Sequence, residues 1–290
     1  MRFNVVDDNC FNSLEERKRK EIEHTDRRRS IVKAHEYKTD ASKDQKDVAF
    51  IEDSAEYNEH FSNMKFYSIS GKSFSYRDKC LYENISGKTV LDYCCGNGEI
   101  AIELANKGAK KVNAIDISQV AVNNANEMAA QYGYSDICEF SVMDAENMSY
   151  DNDSFDIIHE YGALHHLELG SAFRELSRVL KPDGRLVCTE ALRHNPLIHM
   201  YRKRTPNLRT KWEVEHILGV PEIQSGQKYF NKIEIRFFHL AALAAVPFRK
   251  SPFFKPLLGL LDRVDSVLLR LPFISKMAWV AVIVYSEPKK

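Results

Sequence analysis

The run Val90-Leu91-Asp92-Tyr93-Cys94-Cys95-Gly96-Asn97-Gly98 decides how the chain is read. An apolar strand over residues 88–93 (KTVLDY) passes through a glycine-bearing turn into a helix over 99–107, which stops at Gly108. Glycine lets backbone approach a ligand closely, and the first N–H groups of the following helix face whatever sits in the turn. Taken alone, Gly96-x-Gly98-x-x-Ala101 also fits a dinucleotide-binding turn. Two carboxylates argue for another ligand. Asp92, just before the turn, would gain nothing beside a pyrophosphate and suits an amine-bearing group. Asp116 closes the next strand about twenty residues on, where a carboxylate can accept both hydroxyls of a ribose.

The same alternation continues outward. Residues 111–116 (KVNAID) form a second strand, and Ser118 caps a helix whose Val122, Ala125, Met128, Ala129 and Tyr132 fall at helical spacing before Gly133 ends it. Residues 137–142, 155–160 (FDIIHE) and 185–190 are three further strands. A helix over 171–180 puts Phe173, Leu176 and Val179 on one face, and Lys181-Pro182-Asp183-Gly184 is expected to turn into the last strand. Strands joined by helices run parallel with right-handed crossovers, and ligands bind beyond their carboxyl ends. Residues 232–238 and 278–286 (AWVAVIVYS) add two strands, the second buried within the sheet by its near-continuous hydrophobicity. The expected fold is α/β, a doubly wound, mostly parallel, seven-stranded Rossmann-like sheet with an antiparallel edge strand and helical lid additions. Three zones are expected. Residues 1–83 form a charged N-terminal arm and helical lid, 84–190 a cofactor-binding βα core, and 191–290 a substrate-lid segment with the C-terminal strands.

Several motifs recur in order: Asp92-x-x-Cys95-Gly96-x-Gly98, Asp116-Ile117-Ser118, Asp144-Ala145-Glu146, Phe155-Asp156-Ile157-Ile158, Ala163-Leu164-His165-His166-Leu167 and Arg178-Val179-Leu180-Lys181-Pro182-Asp183-Gly184. In this order and spacing, residues 90–190 resemble the class I S-adenosylmethionine-dependent methyltransferases, in particular the small-molecule group related to ubiquinone and menaquinone biosynthesis. The resemblance implies S-adenosyl-L-methionine as cofactor. Its amino-acid portion would rest on Asp92, Tyr93, Cys94, Gly96, Asn97 and Gly98, its ribose on Asp116, and its adenine against Ile117. Asp144 would accept from the adenine amino group beside the Ala145 backbone. Glu160 and Tyr161 would border the methyl group and the acceptor, Glu160 also touching the cofactor. Cys94 departs from the small residue usual at its position, a change of packing. His165 is the candidate general base, because imidazole titrates near neutrality. Cys94 and Cys95 read as loop packing, since methyl transfer from a sulfonium needs no covalent intermediate.

Composition narrows the partners. With 44% hydrophobic residues in 290, the chain has apolar material for a sizeable core. Lys plus Arg and Asp plus Glu both number 41, so no surface-wide basic field is available for nucleic acid. The six cysteines, Cys10 among them, form no CxxC pair, so neither a metal site nor a disulfide framework is expected, and the expected location is cytoplasmic. No signal-peptide pattern opens the sequence, and residues 237–248 fall short of the roughly 18–20 needed to span a bilayer. No transmembrane segment is expected; peripheral membrane contact is left open by the aromatic and Leu-rich C-terminal third with its interspersed Arg and Lys.

The acceptor pocket is expected over the strand ends, with Tyr57, Phe61, Phe66 and Tyr67 as lid residues and Tyr67 and His166 against the substrate. Between residues 193 and 211 Arg193, Arg202, Lys203, Arg204, Arg209 and Lys211 occur without an intervening acid. Arg193 and Arg202 are the candidates there to fork a phosphate or carboxylate. Together these features point to a small-molecule or lipid-like acceptor, anionic and amphiphilic. A sugar or polysaccharide-precursor methyltransferase, a nicotinamide-dependent oxidoreductase and a non-catalytic methyltransferase-like binding subunit are the alternatives. The sequence says nothing of the oligomeric state.

Overall fold

The computed structural model describes residues 15–34 and 61–290, so Cys10 and Tyr57 lie outside the described residues. Among the described residues apolar and β-branched runs form seven strands: β1 Thr89–Tyr93, β2 Lys111–Asp116, β3 Cys138–Val142, β4 Phe155–Tyr161, β5 Leu180–Ala191, β6 Phe230–Phe238 and β7 Val280–Pro288. They pair in the order β3-β2-β1-β4-β5-β7-β6. The first five run parallel; β7 runs antiparallel between β5 and the rim strand β6. The reversed strand therefore sits one place in from the rim, where its apolar sequence is buried on both sides.

Successive residues of each strand enter opposite faces. Val90, Val112, Ala114, Ile157 and Val187 join one core, while Leu91, Ile115, Ile158, Leu186 and Cys188 join the other. On the first face lie α2 (Gly71–Tyr82), α3 (Glu99–Asn106) and α4 (Gln119–Tyr132); on the second lies α5 (Leu169–Val179). The helix expected over 171–180 begins two residues earlier, because the Glu168 side chain accepts from the backbone of Gly170 and Ser171. Phe173, Leu176 and Val179 do face the sheet, and burying such a side chain is worth roughly 1.5–3 kcal/mol. Ser118 caps α4 by accepting from Ala121 N–H.

Residues 181–184, expected as a turn, instead belong to β5. The register slips between Phe155↔Leu180 and Ile157↔Arg185, so the Lys-Pro-Asp-Gly run bulges from the ladder without ending the strand. The helical additions are α1 (Glu16–Ala34), α6 (Pro196–Arg204), α7 (Lys211–His216), α8 (Val220–Ser225), α9 (Phe254–Leu268) and α10 (Pro272–Ser275), with 3-10 turns over Ser62–Ile69 and Ala241–Phe248.

Candidate functional site

Strands β1, β2 and β4 end together at the turn 94–98. Cys94 (φ 58°), Gly96 (φ 56°) and Gly98 (φ 85°) all take left-handed backbone, which folds the turn back so that Cys95 N–H reaches Ile115 O at 2.8 Å. A Cβ on Gly98 would meet Ala125 Cβ and Phe140 Cε1 at 2.8 Å, so close packing of α4 and β3, as well as its φ, requires glycine. Asp116 holds the turn from below. Its Oδ2 accepts from Gly96 N–H and its Oδ1 from Ser118 N–H, both at 2.9 Å. Each oxygen keeps a second lone pair, enough for a ribose diol.

Asp92 accepts from His159 Nδ1 on Oδ1 at 2.7 Å, with both side chains 2% exposed. Its other oxygen is buried without a partner among the described residues. A buried carboxylate oxygen left unpaired costs free energy that an incoming ammonium would recover. This orphan acceptor, together with the diol-ready Asp116, is a donor and acceptor set that fits the amino-acid and ribose ends of S-adenosylmethionine.

Helix α1 lies across the same end of the sheet. Lys18 Nζ is 2.7 Å from Asp144 Oδ2, Arg17 Nη2 is 2.7 Å from Glu146 Oε1, and Glu21 lies 3.0 Å from His166 Nδ1. Asp26 accepts from the Ser118 hydroxyl, and the Arg29 guanidinium fills the space that a Cβ on Gly96 would need.

Beside it opens a cavity of about 100 Å³. Phe66, Tyr67, Tyr201 and Trp279 form its aromatic wall, with Ile198 and Ile217, while His165, Arg202, Arg209 and Glu213 supply the polar groups. Trp279 packs on Phe66 and Tyr67 with ring centroids 5.8 and 5.7 Å apart. Burial, then the neighbouring Arg209, pulls Arg202 down to about 10. Arg202 donates to Leu192 O, and Arg209 Nε lies 3.2 Å from Glu213.

His165 Nδ1 lies 2.8 Å from Glu190 Oε2. An ionised carboxylate only accepts, so Nδ1 then carries the proton and Nε2, 3.8 Å from Glu213, keeps its lone pair. Burial, aided by the adjacent His166, pushes His165 down to about 3, so the ring is neutral near pH 7. Burial pushes Glu190 up to about 7. Burial and the nearby Glu190 push Glu160 well above the usual carboxylate range, and its Oε2 is buried without a hydrogen-bond partner among the described residues.

The expected site residues are thus distributed unevenly. Tyr67, His165 and Arg202 line the cavity. Tyr161 does not line the cavity; burial, then the neighbouring Tyr67, raises its hydroxyl well above the usual range. Glu160 is wholly buried and accepts from the backbone of Ala163 and Leu164, so it shapes the loop that carries His165. His166 turns from the cavity toward Glu21 of α1. Arg193 lies outside the cavity, 39% exposed and paired with Glu222 at 3.0 Å. Tyr93 is buried and donates to Ala145 O, while Asn97 is buried against Asn124 of α4; both brace the turn from within. Cys94 and Ile117 are half-buried beside it, and burial raises the Cys94 thiol well above its usual range. Phe61 is buried beneath Arg28 of α1.

Sequence reasoning missed Glu213, Tyr201 and Trp279 and did not single out Arg209 within its basic stretch. Arg209 stands in the acid-free basic stretch; its backbone is extended, ahead of α7, and it pairs with Glu213 on that helix. His165, His166 and Glu213 bring ligand atoms within 4.8 Å of one another, a spacing able to hold a cation, although Arg202 and Arg209 beside His165 and Glu213 oppose one.

Residues 84–236, more than half of the chain, match a family model described as a methyltransferase domain. A stretch of 108 residues is 36% identical to 27-O-demethylrifamycin SV methyltransferase of Amycolatopsis mediterranei (strain S699), covering 37% of this chain and 40% of that protein. Over 147 residues the chain is 27% identical to the sterol 4-C-methyltransferase strm-1 of Caenorhabditis elegans, 50% of this chain and 42% of that one. Over 107 residues it is 33% identical to the ubiquinone/menaquinone biosynthesis C-methyltransferase UbiE of Rickettsia massiliae (strain Mtu5), 35% and 43% of the two chains. The chain thus spans about two fifths of the length of these curated relatives. Among solved structures, phosphoethanolamine N-methyltransferase 2 of Haemonchus contortus, with phosphomonomethylethanolamine and S-adenosylhomocysteine, superposes with a TM-score of 0.55 at 16% identity. The match covers 83% of this chain and 60% of that one, and shows a shared fold. With its largely parallel sheet, its glycine turn and the carboxylates at the strand ends, the chain belongs to the methyltransferase domain family.

Proposed function

We propose that the chain moves a methyl group from S-adenosylmethionine to a small, largely apolar acceptor that carries an anionic group. In this reading residues 84–190 hold the cofactor, while 1–83 and 191–290 supply the walls of the acceptor site. The observation that carries it is the pair Arg202 and Arg209 set inside an aromatic cavity beside His165. A guanidinium whose proton is loosened by burial and by a second guanidinium gains from an entering anion. The relatives named for a demethylrifamycin, a sterol and ubiquinone/menaquinone biosynthesis support an acceptor with an extended apolar body.

When bound, S-adenosylmethionine supplies a sulfonium methyl that is already electrophilic, so the protein must chiefly align an acceptor and exclude water. The free Asp92 oxygen would receive the ammonium, Asp116 the ribose hydroxyls and Asp144 the adenine amino group. The aromatic wall holds the apolar body and Arg202 with Arg209 the anionic end. His165 accepts a proton at Nε2 when the acceptor atom carries one, and ionised Glu190 fixes its ring. Glu160 and Tyr161 act as positioning residues, through the 163–165 loop and Tyr67.

Calorimetry with S-adenosylhomocysteine against a nicotinamide dinucleotide tests the cofactor; binding of the former, abolished in Asp116→Ala, is expected, and binding of the dinucleotide alone overturns the reading. Methyl-labelled S-adenosylmethionine then tests the acceptor against prenyl phosphates, long-chain carboxylates and their uncharged alcohols. Faster labelling of the anionic member of each pair is expected, and preference for the alcohols overturns the anionic part.

A further inference from the structure

Helix α9 has more apolar surface than its packing uses. Its inward face rests on Ala241–Phe248, which in turn supports the Ser62–Ile69 wall of the cavity. On another face Leu260, Val264 and Val267 stand exposed, in line with Phe253 before the helix and Leu271 after it. At 3.6 residues per turn these five positions fall on one stripe. Phe253 is 73% exposed and Phe273, just beyond, 85%. Helix α6 adds Leu197 and Met200, both exposed and turned about 100° around the helix from Ile198 and Tyr201, which line the cavity. Asn195 Nδ2 donates to Met277 O at 2.8 Å and so joins the two segments.

The charges around this surface are sorted by sign. Residues 249–277 contain only two acids, and both turn inward. Asp262 is 13% exposed and lies 3.7 Å from Lys72, while Asp265 is buried and accepts from the backbone N–H groups of Leu240, Ala241 and Ala242. Lys255, Arg263, Arg270 and Lys276 face outward, and α6 contributes Lys203 and Arg204 without any acid. An exposed apolar stripe whose own segments turn only bases outward complements one partner chemistry, acyl chains beneath a layer of anionic headgroups. No described helix is long and apolar enough to cross a membrane, so contact would be made in the plane of the surface.

We propose that the face formed by residues 253–277 and the outer side of α6 docks on an anionic lipid bilayer. The inference rests on this surface and holds whatever acceptor the cavity takes. The test is flotation of the full chain with phosphatidylcholine vesicles containing or lacking phosphatidylserine. The chain is expected to float with the anionic vesicles, less so in high salt. The double variant Phe253→Asp/Phe273→Asp is expected to lose this by about tenfold or more, with unchanged thermal melting and unchanged S-adenosylhomocysteine binding. Arg263→Glu/Arg270→Glu should weaken binding to anionic vesicles only. Equal recovery with neutral and anionic vesicles, or none with either, overturns the proposal. So does a dimer in sedimentation velocity that Phe253→Asp/Phe273→Asp makes monomeric, which assigns the face to a second copy of the chain.

Discussion

Asp92 divides its two oxygens between two tasks, one bonded to His159 and the other buried without a partner among the described residues. Asp92→Asn keeps the volume and a carbonyl for His159 but puts an amide NH2 or a neutral oxygen where an ammonium should sit. Losing a charge-assisted bond of roughly 1.5–3 kcal/mol weakens S-adenosylhomocysteine binding about 10- to 150-fold, read by calorimetry. Glu190 shows a second effect of burial. Its folded pKa of about 7 lies above the usual 4.5, so its stabilisation is complete below 4.5 and is lost as pH rises through 7. His165 runs the other way. Its folded value of about 3 lies below the usual 6.5, so its contribution is complete above 6.5 and fades as pH falls toward 3. The two slopes oppose each other between 4.5 and 6.5. Glu190→Gln removes one of them, so the variant's melting temperature should climb more steeply with pH across that interval than the wild type's, as scanning fluorimetry would measure.

At the level of elements, the turn between β1 and α3 is held by packing as much as by ligand chemistry. Gly98→Ala must accept φ 85° and push Ala125 or Phe140 aside, a cost of about 2–4 kcal/mol in a urea titration. Helix α6 permits a milder test. Arg202→Gln should raise KM for an anionic acceptor about tenfold or more and leave an uncharged analogue unaffected, because only the charge-assisted bond is lost. These elements differ in how far the sequence revealed them. Strands β1 to β4 and helices α3 to α5 follow from apolar periodicity and local caps, so their positions are within a residue or two of expectation. The start of β5 was hidden because Pro182 and Gly184 carry turn chemistry, while pairing with β4 across a bulge is a tertiary matter. The carboxylates proposed for the cofactor end stand out in the sequence because each sits at or just past a strand terminus. The cavity was only half legible: Phe66 and Tyr67 were expected over it, while Tyr201, Glu213 and Trp279 come from segments whose meeting no local pattern encodes.

Across the whole molecule α1 is the element that ties distant parts together, and it does so with charges. Its sequence has no apolar stripe, so nothing in the periodicity marks what it packs against. Arg17 reaches Glu146 and lies over the Trp212 ring, Lys18 reaches Asp144, and Glu21 reaches His166 and accepts from Thr210. Burial alone would lower His166, but Glu21 and then Glu213 and Glu190 outweigh it and raise its pKa above 6.5. Burial alone would raise Glu21, but the bond to His166 outweighs it and lowers its pKa below 4.5. The tie from His166 is therefore complete below 6.5 and lost as pH rises through the raised value. The tie from Glu21 is complete above 4.5 and lost as pH falls through the lowered one. Docking of α1 is expected to be tightest between these limits, so protease cleavage within residues 16–34 should be slowest near pH 5–6 and faster on the alkaline side. Lys18 also occupies the carboxylate assigned to the adenine amino group. In the proposed reading cofactor and lysine exchange there, and a partly buried pair of this kind is worth up to about 1 kcal/mol. Lys18→Ala should thus bind S-adenosylhomocysteine up to about fivefold more tightly than the wild type. The wild type should show α1 cleaved faster when S-adenosylhomocysteine is added. Unchanged affinity in the variant together with unchanged cleavage would mean that α1 and the cofactor do not compete for Asp144.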